Sequence, residues 1–255
     1  KSQSTTRAMP GDTSRLHRHA RHRALPQVGE TGQQRITDST ALLVGVGGIG
    51  CSTASYLAAS GVGHLLLCDF DTVDATNLGR QILYGPGDIG QSKAEVAAAR
   101  LSAINPDIEI TAITSRLDDA ALAGRVAEAD VVLDGSDNFA TRFQVNDACV
   151  AASTCLISGA AIRLEGQVTE FGPDYTASPC YRCLYKEADE SLENCAGNGV
   201  LSPVPGAIGA LMAVEALKFL AGIDSPRGVL RLFDAISGEF RAVAVKKRGD
   251  CPACG

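Results

Sequence analysis

Residues 41–71 read ALLVGVGGIGCSTASYLAASGVGHLLLCDFD, and this stretch decides the fold. An apolar run ends in Gly45-Val46-Gly47-Gly48-Ile49-Gly50. A helical stretch follows, and a second apolar run ends in Asp69 and Asp71. The order is strand, glycine turn, helix, strand, acid. Glycines 45, 47, 48 and 50 let the backbone turn sharply and come close to a phosphate, which the N–H groups at the helix start then face. An acid about 20 residues further on, here Asp69 with Asp71 beside it, is placed to bind ribose hydroxyls. The segment specifies a nucleotide and leaves open which one.

Working outward, strands are expected at about 40–46, 64–69, 108–114, 130–134 and 155–159. Helices are expected at about 92–103, 118–127 and 138–152. This alternation predicts an α/β fold with a doubly wound, mostly parallel sheet. The pattern then changes. Residues 165–172 (EGQVTEFG) alternate as an antiparallel strand does, and 229–245 read as a hairpin turning at Ser237-Gly238. A helix from about 205 to 221 opens at Pro205 and stops at Gly222. Residues 1–38 read as an N-terminal arm with a short helix near 14–24 and a link at 29–37. Residues 39–255 read as one domain, with a polar crossover loop at about 187–203. Residues 71–90 form a long loop rich in Asp, Asn, Gly and Pro, and such loops are usually functional.

Composition narrows the class. The 255 residues carry a net charge of −6, which tells against a nucleic-acid binder. The stretch 15–23 (RLHRHARHR) is a local basic exception. No apolar signal region follows the N-terminus. The most apolar stretch, Pro205 to Gly222, contains Glu215 and Lys218 and is short for a membrane span. The expected location is cytoplasmic, with no membrane and no nucleic-acid partner.

Nine cysteines in such a chain point to metal or catalysis rather than disulfides. Cys51, Cys68, Cys149 and Cys155 lie in apolar or helical runs and read as small buried hydrophobes. Cys180, Cys183, Cys251 and Cys254 form two CxxC pairs, the ligand set of a tetrahedral structural zinc site. The whole stretch 184–250 separates the pairs, so the fold has to bring them together. Cys195 stands alone in a polar loop.

The loop after the acidic strand end carries Asn77, Arg80 and Gln81, and Lys93 opens the next helix. Hydride transfer needs no such cations near the ribose, whereas a triphosphate needs them for neutralisation and orientation. Asp137 and Asn138, in DGSDN, follow the 130–134 strand. An acid at that edge suits Mg²⁺, which takes one or two carboxylates with phosphate oxygens and water. Asp137 also suits the N-cap of the following helix.

With these motifs in this order the chain resembles the MoeB/ThiF superfamily, related to the ubiquitin-activating enzymes. The matching segments are GVGGIG, CDFDTVDATNLGRQ, GQSKAE, DGSDN, SGAAIRLEGQV, PCYRC and CPAC, and the likeness runs from about Arg18 to Gly255. The resemblance implies a Rossmann-like domain that adenylates the C-terminal glycine of a small ubiquitin-like sulfur carrier protein ending in Gly-Gly, for molybdopterin or thiamin. It implies ATP, Mg²⁺ and Zn²⁺ as cofactors and a homodimer. Asp69 would hold the ribose, Asn77, Arg80 and Lys93 the triphosphate, and Asp137 the Mg²⁺. Arg21, in RHARH, would reach the partner's ATP, although His19 and His22 replace the family's usual Tyr and Gln. The apolar helix at 205–221 offers a packing surface for the dimer. Cys195 would accept the activated carrier or a sulfur, or is an exposed loop thiol without a role. No rhodanese domain follows the second CxxC, so a separate sulfur donor is implied. The alternatives are a relative acting on tRNA or a small molecule, a nicotinamide-dependent dehydrogenase, and a non-catalytic scaffold.

Overall fold

The computed structural model describes residues 18–186 and 199–255. Eight strands form one sheet: β1 Thr40–Val44, β2 His64–Cys68, β3 Glu109–Ile113, β4 Val131–Asp134, β5 Cys155–Ile162, β6 Glu165–Phe171, β7 Val229–Asp234 and β8 Glu239–Ala244. Their order is β3-β2-β1-β4-β5-β6-β7-β8. Pairing is parallel from β3 to β5 and antiparallel from β5 to β8. After β1 the chain runs outward to β2 and β3, then returns to the other side of β1 as β4. Such a reversal opens a crevice at the carboxyl ends of the two central strands. The register sets Val44 opposite both Cys68 and Asp134, so Gly45, Asp69 and Gly135 leave the sheet at one level.

The described helices are α1 Ala20–Arg23, α2 Gly29–Asp38, α3 Gly48–Ser60, α4 Lys93–Ile104, α5 Asp119–Glu128, α6 Phe139–Ala152, α7 Tyr181–Leu184 and α8 Pro203–Ala221. Alternate strand residues feed two cores. Leu43, Leu65, Leu67 and Leu133 pack under α3, α4 and α8. Leu42, Leu66, Val132 and Leu156 pack against α5, α6 and the first CxxC. Strands covered on both faces are expected to be apolar throughout, as ALLV and HLLLC nearly are. Cys51, Cys68, Cys149 and Cys155 are all buried, as small apolar side chains.

Four sequence expectations need correction. Residues 29–38 are a helix rather than a link, and its buried stripe is Gly32, Gln33 and Ile36. Only one of the three is apolar, so hydrophobic periodicity could not reveal it. Gln33 donates to the Ser60 carbonyl at 3.0 Å, and Gly32 lies against Ala221. Strand β5 continues past Gly159 to Ile162, because the antiparallel β6 pairs with it from Leu156 to Ile162, beyond the point where its parallel partner β4 ends at Ser158. Gly159 is required there by α8: a Cβ would stand 2.3 Å from the Met212 sulfur. Helix α8 starts at Pro203, not Pro205. Both prolines fall in the first turn, where the missing N–H groups have no intrahelical acceptor. The 71–90 loop contains 3₁₀ turns at Ala75–Asn77 and Pro86–Asp88.

Helix α8 is the one described helix long and apolar enough to cross a membrane. It instead lies across α3, α2, β5 and β6, and Ile208, Met212 and Ala216 are core residues. Strand β8, by contrast, is exposed along its whole length.

Candidate active site

The glycine turn is built by close approach. Gly45 has φ +86° and packs on Gly135, where a Cβ would fall 3.2 Å from the Gly135 backbone. Gly47 caps α3, which begins at Gly48. A Cβ on Gly50 would sit 2.0 Å from the Gly45 carbonyl oxygen, so only glycine lets the helix seat against its own turn. The open N–H groups of α3 therefore point into the crevice.

Asp69 braces this turn. One carboxylate oxygen accepts from the Val46 N–H at 2.8 Å, and the other from the Asp71 N–H at 3.0 Å. Burial pushes its pKa upward, while the N–H of Asp71 and the charge of Lys93 counter that. Lys93, almost wholly buried, reaches the Asp71 carboxylate at 3.0 Å. Arg80 donates to the Thr76 carbonyl at 3.0 Å.

These groups line one cleft of about 320 Å³, with Gly45, Gly47, Gly48, Asp69, Asp71, Arg80, Gln81, Lys93 and Asp137 on its walls. Four described candidates for this cleft lie outside its lining: Gly50, Asn77, Asn138 and Arg21. Gly50 supports the turn from behind. Asn77 is buried in its own 3₁₀ turn, where its side-chain oxygen accepts from the Asp74 N–H. Asn138, not Asp137, caps α6, accepting from the Thr141 N–H at 2.9 Å. Asp137 is thereby left exposed at the cleft wall. Arg21 is exposed on α1 and does not line this cleft. Cys195 and the 187–198 part of the crossover loop lie outside the described residues.

The second wall was not foreseen from the sequence. It contains Phe139, Arg142, Glu165, Gln167, Tyr185 and Leu232. The Arg142 guanidinium donates to the Ser136 carbonyl from Nη2 at 2.7 Å and from Nε at 3.2 Å. Its neighbour Asp134 is buried, with one carboxylate oxygen accepting from the Ser136 N–H and the other unpaired. Burial raises the Asp134 pKa against the pull of Arg142. Tyr185 exchanges hydrogen bonds with the Gln167 amide at 2.8 and 3.0 Å. A usable signal existed for Arg142: it stands four residues after Asn138, so it shares a helix face with the cap. Tyr185, two residues after Cys183, carried none. Ser136 Oγ and Gln81 Oε1, both on cleft-lining residues, are buried without a partner. Such orphaned oxygens, with the Asp137 carboxylate, fit the oxygen-only ligand preference of Mg²⁺.

Behind this wall the fold unites the cysteine pairs. The four sulfurs lie within 4.8 Å of one another, with Cys180–Cys251 at 3.6 Å and Cys183–Cys254 at 3.5 Å. Tetrahedral zinc with Zn–S of about 2.3 Å requires S···S of about 3.8 Å, so the set fits. Burial opposes ionisation of Cys251, yet the N–H groups of Ala253 and Cys254 help bring its pKa down to about 7.

Fold and cleft define an α/β nucleotide-binding protein whose phosphate side is lined with cations. Comparison with known proteins makes this specific. The ThiF family model matches residues 19–253, and the chain belongs to that family. It is 45% identical to the sulfur carrier protein ThiS adenylyltransferase of Escherichia coli K12 over 238 residues, 93% of this chain and 94% of that one. It is 47% identical to the molybdopterin-synthase adenylyltransferase of the same organism, over 88% of this chain and 90% of the relative. Among solved structures, Escherichia coli MccB with ATP superposes with a TM-score of 0.78 at 23% identity, covering 99% of this chain and 75% of that one, a likeness of fold. Family membership removes the support for a dehydrogenase.

Proposed function

We propose that this protein uses ATP to adenylate the C-terminal glycine of a small ubiquitin-like sulfur carrier protein, giving an acyl-adenylate and pyrophosphate. One observation carries the reading: Arg80, Lys93 and Asp137 join the glycine turn in a single cleft, in a chain that spans nearly all of an adenylyltransferase. The carrier carboxylate attacks the α-phosphorus, and pyrophosphate leaves. Two anions have to meet, so the enzyme supplies positive charge and orientation. The carboxylate is already ionised and needs no base. The N–H groups at the start of α3, with Arg80 and Lys93, bind and orient the phosphates. Asp69 orients the ribose while holding the glycine turn. Mg²⁺, held by Asp137, would neutralise phosphate charge. Zn²⁺ on the four cysteines would be structural, because four protein ligands leave no open position.

The remaining parts of the reading are a homodimer in which Arg21 reaches the partner's nucleotide, a cytoplasmic location, a separate sulfur donor, and Cys195 as the acceptor thiol. An arm at 1–38 and one adenylation domain at 39–255 accord with this. The test is ATP–pyrophosphate exchange with carriers ending in Gly-Gly. Carrier-dependent exchange, reduced about 100-fold or more by Lys93→Ala or Asp137→Ala, is expected. Exchange retained in Cys195→Ala places that thiol after adenylation or outside the reaction. No exchange with any such carrier would overturn the reading.

A further inference from the structure

We propose that Tyr181, the residue inside the first cysteine pair, is a positioning residue for the nucleotide cleft. It steadies Arg142, and through Arg142 the turn that carries Asp137. The line of contacts is short. The Tyr181 ring is almost completely buried. It is held edge-to-face by Phe143 at 5.9 Å and Phe171 at 6.1 Å, and its N–H donates to the Asn146 side chain at 2.8 Å. With the ring fixed, the hydroxyl can serve few groups, and Arg142 Nη1 donates to it at 3.4 Å.

The other two donors of Arg142 grip the Ser136 carbonyl. The preceding peptide is held by Asp134, which accepts from the Ser136 N–H at 2.9 Å. The turn is therefore clamped from both sides, with Asp137 next along the chain. A flexible arginine has many rotamers, and a buried acceptor at its third donor selects one of them. Tyr181 itself is flanked by Cys180 and Cys183, so the cysteine cluster fixes the far end of the line. The same knuckle sets Tyr185, whose ring lies 5.1 Å from Tyr181 and 5.4 Å from Phe139 on the cleft wall. The cysteine cluster thus shapes the cleft through two tyrosines, although none of its sulfurs lines it.

The inference rests on the adenylation reading for its nucleotide. Its test is calorimetric binding of Mg-ATP and of AMP to full-length Tyr181→Phe, which keeps the ring and removes one acceptor, with zinc content and unfolding midpoint measured alongside. The expected result is Mg-ATP binding weakened about fivefold, the equivalent of one hydrogen bond. AMP binding should stay within about twofold, because AMP lacks the phosphates that Asp137 serves through its metal. Metal content should match wild type, and the midpoint should fall by no more than the few degrees that one lost buried hydrogen bond costs. In an Arg142→Lys background the same change should have no further effect, since the shared contact is already gone. Unchanged Mg-ATP binding, equal losses for AMP, a fall in metal content, a midpoint loss of about 10 °C or more, or additive losses would each overturn the proposal. Failure of the wild-type protein to bind Mg-ATP would instead count against the adenylation reading itself.

Discussion

The two walls of the cleft are made in different ways. The first, from β1, β2 and the turn into α3, is mostly backbone: glycines in close approach, helix N–H groups, and a carboxylate that braces them. Its parts lie close together in sequence, with Gly45 and Asp69 set 24 positions apart. The second wall is side chain. It stacks Phe139, Tyr185 and Tyr181 and is tied behind by cysteines 71 positions apart. A wall made of backbone leaves no room for an added atom where it closes on itself, as at Gly50, whereas a wall of rings held by a distant cluster depends on that cluster.

The sharpest test is Gly50→Ala. Its Cβ would stand 2.0 Å from a backbone oxygen that cannot move without undoing the turn, so a stability loss of about 3 kcal/mol or more is expected in urea unfolding. A loss below about 1 kcal/mol would break the description of the first wall. Next in size is disruption of the cysteine cluster behind the second wall, the proposed zinc site. Chelation, or Cys183→Ser, should lower the thermal midpoint by about 10 °C and disturb the near-ultraviolet tyrosine signal. An unchanged signal would separate the rings from the cluster.

A smaller effect lies on the outer flank of the first wall. His19 is buried in a notch left by Gly61, where a Cβ would come 2.5 Å from its ring. Burial above all, helped by the nearby charges of His22, Arg18 and Arg23 and opposed by Asp107, lowers its pKa from 6.5. The folded protein then keeps His19 neutral while the unfolded chain takes up a proton. This contribution to stability is full above pH 6.5 and is lost as pH falls below it. Unfolding midpoints between pH 7 and 5 should fall less steeply in His19→Gln than in wild type. Equal slopes would remove His19 from the account. The smallest effect serves as a control: Gly124, inside α5 with open space around it, should gain about 0.5–1 kcal/mol as alanine. Destabilisation there would mean that glycine scanning does not distinguish packed turns from free helix.

The same contrast explains what the sequence made readable. The parallel strands, the glycine turn and the cleft cations follow one another along the chain, and local pattern is enough to place Gly45, Asp69, Arg80, Lys93 and Asp137 at one edge. Helix α2 escaped because it buries a glutamine and a glycine instead of an apolar stripe. The extension of β5 escaped because Gly159 looks like a stop and is instead a seat for Met212. Arg142 and Tyr185 escaped because their value depends on partners about 40 and 18 residues away, Tyr181 and Gln167, that no window includes. The CxxC pairs were visible as ligands, but their closeness to the cleft was not.

The spacing of the cysteine pairs also sets a timetable. Strands β1 to β4, with the glycine turn and the phosphate-facing helix, have all been synthesised by residue 134, more than a hundred residues before the second cysteine pair. The cluster cannot close until Cys254 has emerged, because half of its sulfurs come from the last turn described. During synthesis the protein therefore passes through a stage in which the nucleotide end of the crevice stands without its aromatic side. A metal bound by the four sulfurs would end that stage, and a chain cut short before Cys251 could not assemble its ligand set.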